Sequence, residues 1–532
     1  MRHVLRTIWP WRLAAIGLLS LLTASVIWRA SIVIDGTRYF FLDDDQMVSM
    51  RYARNLAEGL GPVWNAGERV EGYTSPAWMV AMSAVHWLGA SDARAAVWVK
   101  LLNWALAVAV LLLSERLLRI LRPDVTAPAA GTLLLALALC TDLVFWSTNG
   151  FETTLLTANA VAALLLIVRD ADERRLRPVT AILIGLIPLA RSDGWLLMAG
   201  MLAAASGIVG VRPVLRQIPL AVLLPVAHLL WRYSYYGDWL PNTYYLKVEG
   251  VENLTWRGLG YLKGFLLTYG AAAAAAAVWV LWIEPERRRL RWLLAPVMAL
   301  AVQVAIVGPD MFGHFRFLAP VVPVLLVLSV CGILIAAGTS VRARALLLAT
   351  LLLATIAGAG VTGRADAAAL VSTNGFPFEA TVTGELIRRH TSESATVAVV
   401  AAGAVPYFSR RTSIDLLGKT DARTARLAFR RGAQLGHGKF DIEAALNRSP
   451  DLVVPHWVRE WALDADAVLR LFGPDPGTDI RTAIATSPRF NQHYRPNPVP
   501  VPFLQHSHAV FVRDTSPERQ RAAAWQEPVV SH

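Results

Sequence analysis

The sequence predicts a polytopic α-helical membrane protein of about eleven spans, followed by a small external α/β domain at the C-terminus. Three observations carry that expectation. Of the 532 residues, 55% are hydrophobic, and they gather in repeated runs of membrane-crossing length. Arginines cluster between alternate runs, as cytoplasmic loops do under the positive-inside rule. From about residue 364 onward the chain turns polar, and short strand-like segments replace the runs.

The opening stretch, "MRHVLRTIWPWRLAAIGLLSLLTASVIW", is basic, then apolar, with no small-residue cleavage site. It reads as a retained first span at about 13–34, entered from the cytoplasm. Residues 35–94 form a long external loop, and the second span covers about 95–115. Nine further runs alternate between basic inner loops, such as "RDADERRLR", "EPERRRLR" and "SVRAR", and outer turns, such as "VFWSTNGFETT", "RSDG" and "GPDMFGHFR". The expected domains are therefore 1–363, the membrane domain with its loop 35–94, and 364–532, the external domain. This is a multi-pass protein of the cell (inner or plasma) membrane, its N-terminus cytoplasmic and its C-terminal domain periplasmic or extracellular. In that domain "ATVAVVAAGAVPYF", "TSIDLLG", "PDLVVPHW" and "HAVFVRD" read as buried strands; "DARTARLAFRRGAQ" and "VREWALDADAVLRLF" read as amphipathic helices.

The formal charge of +12 sits largely in inner loops, so it does not imply a nucleic-acid partner. Cys140 and Cys331 lie inside apolar runs and make neither a disulfide framework nor a CxxC metal site.

The chemistry concentrates in "YFFLDDDQMVSMRYARNLAEG". Asp43, with Gln46 three residues on, fits a helix N-cap and its capping-box partner, opening a helix that ends at Gly59. The plain alternative is that Asp44 and Asp45 only favour the positive end of that helix. One acid would serve that purpose. Three in a row place at least one carboxylate in a field of like charge, which raises its pKa toward acid–base duty. Next, "GLGPVWNAGERVEGYTSPAWMVAMSAVHWLG" crowds Asn65, Glu68, Arg69, Glu71 and Tyr73 into one polar segment. Its last part is too short for a secure span and fits a helix lying on the membrane surface. The loop thus holds two helices around a polar turn.

The stretch "DDD", then "RYARNLAEGLGPVWNAGERVEGYTSPAW", resembles the first external loop of GT-C superfamily glycosyltransferases, and most closely that of the mycobacterial terminal (β-1,2) arabinofuranosyltransferases. "FWSTNGFETTL", "LARSDGW" and "GPDMFGHFRFLAP" are similar to weaker landmarks of the superfamily. The resemblance implies a polyprenyl-phosphate arabinofuranose donor and a cell-envelope glycan acceptor. It also implies catalytic acids at Asp44 and Asp45, with Asp43 an addition to the pattern.

Such a transfer needs a base for the acceptor hydroxyl and cations for the departing phosphate. Asp44 is the expected base, with Asp45 assisting. Arg191, Arg316, His314 and Lys247 are the expected phosphate ligands; Arg51, Glu71, Tyr73, Tyr244 and Tyr245 complete the donor-binding candidates. Each has a structural alternative: an Arg191–Asp193 anchor, interfacial snorkelling, an aromatic belt. Glu152 and Asp310 are secondary acids. His228, Gln303 and Asn103 fit interhelical hydrogen bonds, and His437 and Lys439 in "LGHGKFD" fit a solvated turn. No zinc spacing appears, no cofactor is required, and a divalent Mg or Mn ion between Asp44 and Asp45 is chemically open. The rival class is a transporter or flippase of lipid-linked sugar, whose ionisable site would lie near the midplane. A non-catalytic scaffold leaves the three aspartates unexplained.

Overall fold

The computed structural model describes residues 2–310, 312, 314–362, 376–455, 477, 479–499, 508–525 and 529–531. The first helix, α1 (Arg2–Arg29), ends before the predicted limit of the first span. Residues expected to finish that span form a hairpin instead, β1 (Ser31–Ile34) and β2 (Thr37–Phe40). Asp35 and Gly36 turn it with φ of 46° and 78°. An Asp-Gly pair between β-branched residues suits such a turn, since both positions need positive φ.

The loop continues as α2 (Asp44–Ala57) and α3 (Pro76–Trp87), and α4 (Asp92–Leu121) enters the bundle. Next come α5 (Ala127–Ala138), α6 (Thr141–Thr148), α7 (Thr153–Glu173), α8 (Pro178–Gly185), α9 (Ile187–Ala190), α10 (Trp195–Ile208) and α11 (Val211–Tyr236). After the short α12 (Asn242–Lys247) follow α13 (Leu254–Trp282), α14 (Ala295–Val307), α15 (Val322–Ala336) and α16 (Val341–Thr362). Among the described residues eight helices are long and apolar enough to cross a membrane. A ninth candidate is the pair α5 and α6, bent by 50°. The stretches 178–190 and 195–208 are shorter apolar helices. All eleven predicted runs are thus helical, and the protein is a multi-pass membrane protein. "VFWST", expected in an outer turn, is the second half of the bent pair.

The C-terminal region is α/β. Its sheet runs β4 (Thr412–Asp415), β3 (Thr396–Val399), β5 (Leu452–Val454), β7 (His508–Arg513), β6 (Tyr494–Val499). The first three are parallel and the last two antiparallel. "DARTARLAFRRGAQ" is not one amphipathic helix: only Ala422–Ala425 is helical. Beyond it Arg426 pairs with Asp238, and Arg430 donates to the Phe440 carbonyl. The helix expected over "VREWALDADAVLRLF" lies outside the described residues.

Loop and sheet share one core. Met47, Met50, Tyr52, Trp64 and Trp78 pack with Val397, Val399, Val405, Tyr407 and Phe408. The last strand, β8 (Val530–Ser531), pairs with β1, so the chain's end is stitched to the first loop. Accordingly α2 is enclosed by this core: Gln46 through Asn55 are all buried. Arg51 shows why. Its guanidinium donates to the carbonyls of Trp64 (2.6 Å), Pro406 (2.7 Å) and Arg411 (2.8 Å), and to Asn65 Oδ1 (2.9 Å). A buried cation so fully satisfied is a rivet between the segments.

Candidate active site

At the loop-bearing end of the bundle lies a cavity of about 400 Å3. Turns predicted to face outward supply most of its polar wall: Tyr73 and Thr74, Arg191 to Asp193, Tyr244 and Lys247, Asp310 and Arg316. The C-terminal region adds Lys419 and Leu435, and α2 adds Asp45 and Ser49. Val48, Trp195, Leu196, Leu240, Leu254 and Val307 make the rest apolar.

The three aspartates divide their work at the start of α2. Asp43 is the N-cap, but its Oδ1 accepts from Asp45 N at 3.0 Å rather than completing a box with Gln46. Burial, with Asp45 beside it, pushes the Asp43 carboxyl up. Asp44 turns away from the cavity. Its two oxygens accept from Ala404 N at 2.8 Å and Gly403 N at 3.2 Å, at the start of the helix Ala404–Ser409. Burial raises its carboxyl to about 6 against those two donors and Lys419. The approach is close enough that a Cβ on Gly403 would meet the Asp44 carbonyl oxygen at 2.0 Å.

Asp45 alone of the three lines the cavity. Lys419 Nζ donates to its Oδ1, and Lys247 Nζ lies 3.8 Å from its Oδ2. Burial pushes this carboxyl up, but Lys419 and Lys247 outweigh it and hold it well below the usual range. Lys419 was missed in the sequence, 374 residues away. Its loop is pinned from inside: Asp415 accepts from the backbone N–H of Leu417, Gly418 and Thr420. Asn242 donates to the carbonyls of Gly418 and Lys419. Gly72 lets the loop come close, since a Cβ there would lie 2.7 Å from Thr420 Cγ2 and 3.1 Å from the Lys419 carbonyl.

The opposite polar wall is arginine-rich. Arg316 makes a two-pronged contact with Glu152 at 2.7 and 2.9 Å. Arg191 does the same with Asp193 at 2.6 and 3.0 Å, and reaches Glu152 at 3.5 Å. The Glu152 turn is fixed by Asn103 donating to the Phe151 carbonyl and Trp78 to that of Gly150. Asp310, raised to about 6 by burial, accepts from Phe312 N and Tyr261 Oη.

Of the other expected ligands, Tyr73 and Tyr244 line the cavity, whereas His314, Arg51, Glu71 and Tyr245 do not. His314 is buried, stacked on Phe145 with Nδ1 3.0 Å from Asp142, so it is no phosphate clamp. Glu71 is buried against Arg232 at 2.6 Å, its carboxyl pushed up to about 7 by burial. Tyr245 donates to Asp238 and carries Arg426 on its ring. "LGHGKFD" is not a solvated turn, because Lys439 donates to the carbonyls of Tyr245 and Glu249 and so ties α12 to the C-terminal region. Gln303 faces the cavity rather than a neighbouring helix.

A divalent ion does not fit these residues. Among the described residues no three His, Cys, Asp or Glu side chains gather as ligands. Asp44 is spent on backbone N–H groups and Asp45 on two ammonium groups.

Residues 374–498 match a family described only as a domain of unknown function (DUF8728). The chain is 27% identical over 287 residues to a terminal β-(1→2)-arabinofuranosyltransferase of Mycobacterium tuberculosis, covering 48% of this chain and 43% of that protein. With the enzyme of the same description from Corynebacterium glutamicum it is 29% identical over 338 residues, covering 54% and 48%. The chain thus spans less than half the length of each relative. A solved oligosaccharyltransferase of Archaeoglobus fulgidus, tethered to an acceptor peptide, superposes at a TM-score of 0.52 and 12% identity, over 91% of this chain and 72% of that one. The fold is the GT-C fold that the sequence resembles.

Proposed function

We propose that this protein is an integral membrane glycosyltransferase that moves a sugar, arabinofuranose, from a polyprenyl-phosphate donor to an envelope glycan. The active site faces the outside of the cell membrane, and the N-terminus faces the cytoplasm. The observation that carries the reading is the cavity, in which Asp45, Asp193 and Asp310 share the polar wall with four cationic side chains, Arg191, Arg316, Lys247 and Lys419, beside an apolar wall.

Each part has a task. The acceptor hydroxyl must lose a proton as it attacks the anomeric carbon; Asp45, rather than Asp44, is placed to take it. The leaving phosphate gathers negative charge, which Lys419, Lys247, Arg316 and Arg191 stabilise. Glu152 and Asp193 hold the two guanidinium groups in fixed orientation, so little reorganisation is needed. Tyr73 and Tyr244 offer ring faces or hydroxyls to a sugar.

The lipid has a route as well. Leu196 belongs both to the cavity and to an open apolar groove between α10 and α14, lined by Ala199, Gly200, Ala203, Met298 and Val302. Gly200 takes the close packing of α14, and the exposed Ala199 and half-buried Ala203 leave a shallow apolar face for a polyprenyl chain. The reading also draws on the arabinofuranosyltransferase relatives. A flippase reading lacks support, because the ionisable groups come from loops and helix ends.

Purified protein in detergent, given radiolabelled decaprenyl-phosphate arabinofuranose and a short arabinan, is expected to label the arabinan. Labelling only with another lipid-linked sugar would change the donor. No labelling with any lipid-phosphate sugar would overturn the reading.

A further inference from the structure

The Asp45–Lys419 contact closes the base that the proposed transfer needs. A carboxylate whose lone pairs are taken up by an ammonium is a poor proton acceptor. The two arginines of the cavity are paired with two acids, Arg191 with Asp193 and Arg316 with Glu152, and Arg191 also reaches Glu152. Lys419 and Lys247 instead both contact the same carboxylate, Asp45, with Asp44 and Asp310 acting on them from farther off. With its loop pinned at Asp415 and Asn242, Lys419 can change partner only by swinging its side chain. Asp45 and Lys419 are partly buried, at 23% and 14% side-chain exposure, so the contact is shielded yet reachable from the cavity.

Resting on the transfer reading above, we infer that Lys419 is a gate supplied by the C-terminal domain: it occupies Asp45 in the empty enzyme and passes to the phosphate when the polyprenyl-phosphate donor binds. The base is then free only when donor is present, and the same ammonium meets the charge that develops on the leaving phosphate. In the step that follows, the acceptor oxygen bonds to the anomeric carbon. The electron pair of the carbon–oxygen bond to phosphorus goes to the phosphate, and the hydroxyl proton goes to Asp45 and later to water. Polyprenyl phosphate leaves. Without donor, a water in the cavity meets no free base.

The gate makes phosphate and Asp45 rivals for one cation, which a binding cycle reads without any catalysis. Decaprenyl phosphate is titrated onto the protein in detergent, as wild type, Asp45→Asn, Lys419→Gln, Lys419→Arg and each Lys419 variant combined with Asp45→Asn. Removing the rival charge is expected to tighten binding about ten-fold in Asp45→Asn, the worth of one charge-assisted contact. That gain should vanish in the Lys419→Gln background, while Lys419→Arg should preserve it. An equal gain in both backgrounds would overturn the gate and leave only general repulsion. No gain in Asp45→Asn, or no binding by any variant, would also overturn it. Should decaprenyl phosphate follow the predicted cycle while no sugar is transferred, the exchange of Lys419 between Asp45 and phosphate stands, and the transferase reading falls with the gate's role in it.

Discussion

Helix α2 docks on the C-terminal region at several places, and two of them are built on opposite plans. Around Arg51 every donor nitrogen has a carbonyl or amide oxygen within hydrogen-bond distance, and the side chain is buried. Around Asp45, six residues earlier, two lysines crowd one carboxylate at the edge of a cavity. The first arrangement has nothing left to offer a ligand, whereas the second opens onto a cavity that can supply its lysines with another partner. Burying an ion without loose ends holds domains together; leaving it half-matched keeps it available for chemistry. The lesson is that charge type says little and the completeness of its partners says much.

Breaking the closed site should have the larger structural effect. Arg51→Met strands three buried carbonyls and Asn65, so unfolding free energy should fall by about 3 kcal/mol or more. Thermal denaturation and limited proteolysis between loop and sheet would show it; a stability unchanged from wild type would mean the rivet is ornamental. Next comes Glu152→Gln, which removes the charge that orients Arg316 and Arg191. Donor KM should rise about ten-fold or more, and the melting temperature should fall as well, because two buried guanidinium groups lose their shared acid. Gly403→Ala sharpens the comparison between the two sites. Its Cβ would meet the Asp44 carbonyl at 2.0 Å, so α2 must shift and carry Asp45 with it. Overpacking of this kind costs about 1–3 kcal/mol, and transfer should fall with it.

The smallest effect is on pH. Asp44 sits at about 6 when folded against an ordinary value of 3.8, so the folded state holds its proton longer than the unfolded one. Stability should therefore fall as pH rises from 3.8 through about 6. Asp44→Asn removes that contribution, and its unfolding free energy should slope less steeply with pH across the same window. An unchanged slope would show that Asp44 does not titrate there.

Much of this was legible in the sequence because it is local. Apolar run length and the placement of arginines located all eleven helical runs, and like charge at Asp43–Asp45 pointed to a stretch whose Asp45 lines the cavity. What was lost depends on contacts far apart in the chain. No local pattern joins Lys419 to Asp45 across 374 residues. Nor does any local pattern say that Asp44, one position away, faces the backbone of Gly403 and Ala404. His314 resembled a phosphate ligand because it stands two residues from Arg316, yet it stacks on Phe145 and bonds Asp142. One missed feature did carry a signal: "IDG" between β-branched residues announces the hairpin that replaces the end of the first span.

The central claim is that Asp45, not Asp44, is the base. The direct test is arabinan labelling from decaprenyl-phosphate arabinofuranose by Asp45→Asn and Asp44→Asn, both checked for wild-type folding. Loss of a general base removes about two to four orders of magnitude. That loss is expected for Asp45→Asn, and less than about ten-fold for Asp44→Asn, which keeps one backbone hydrogen bond. The reverse ranking would contradict the assignment and return the catalytic role to Asp44.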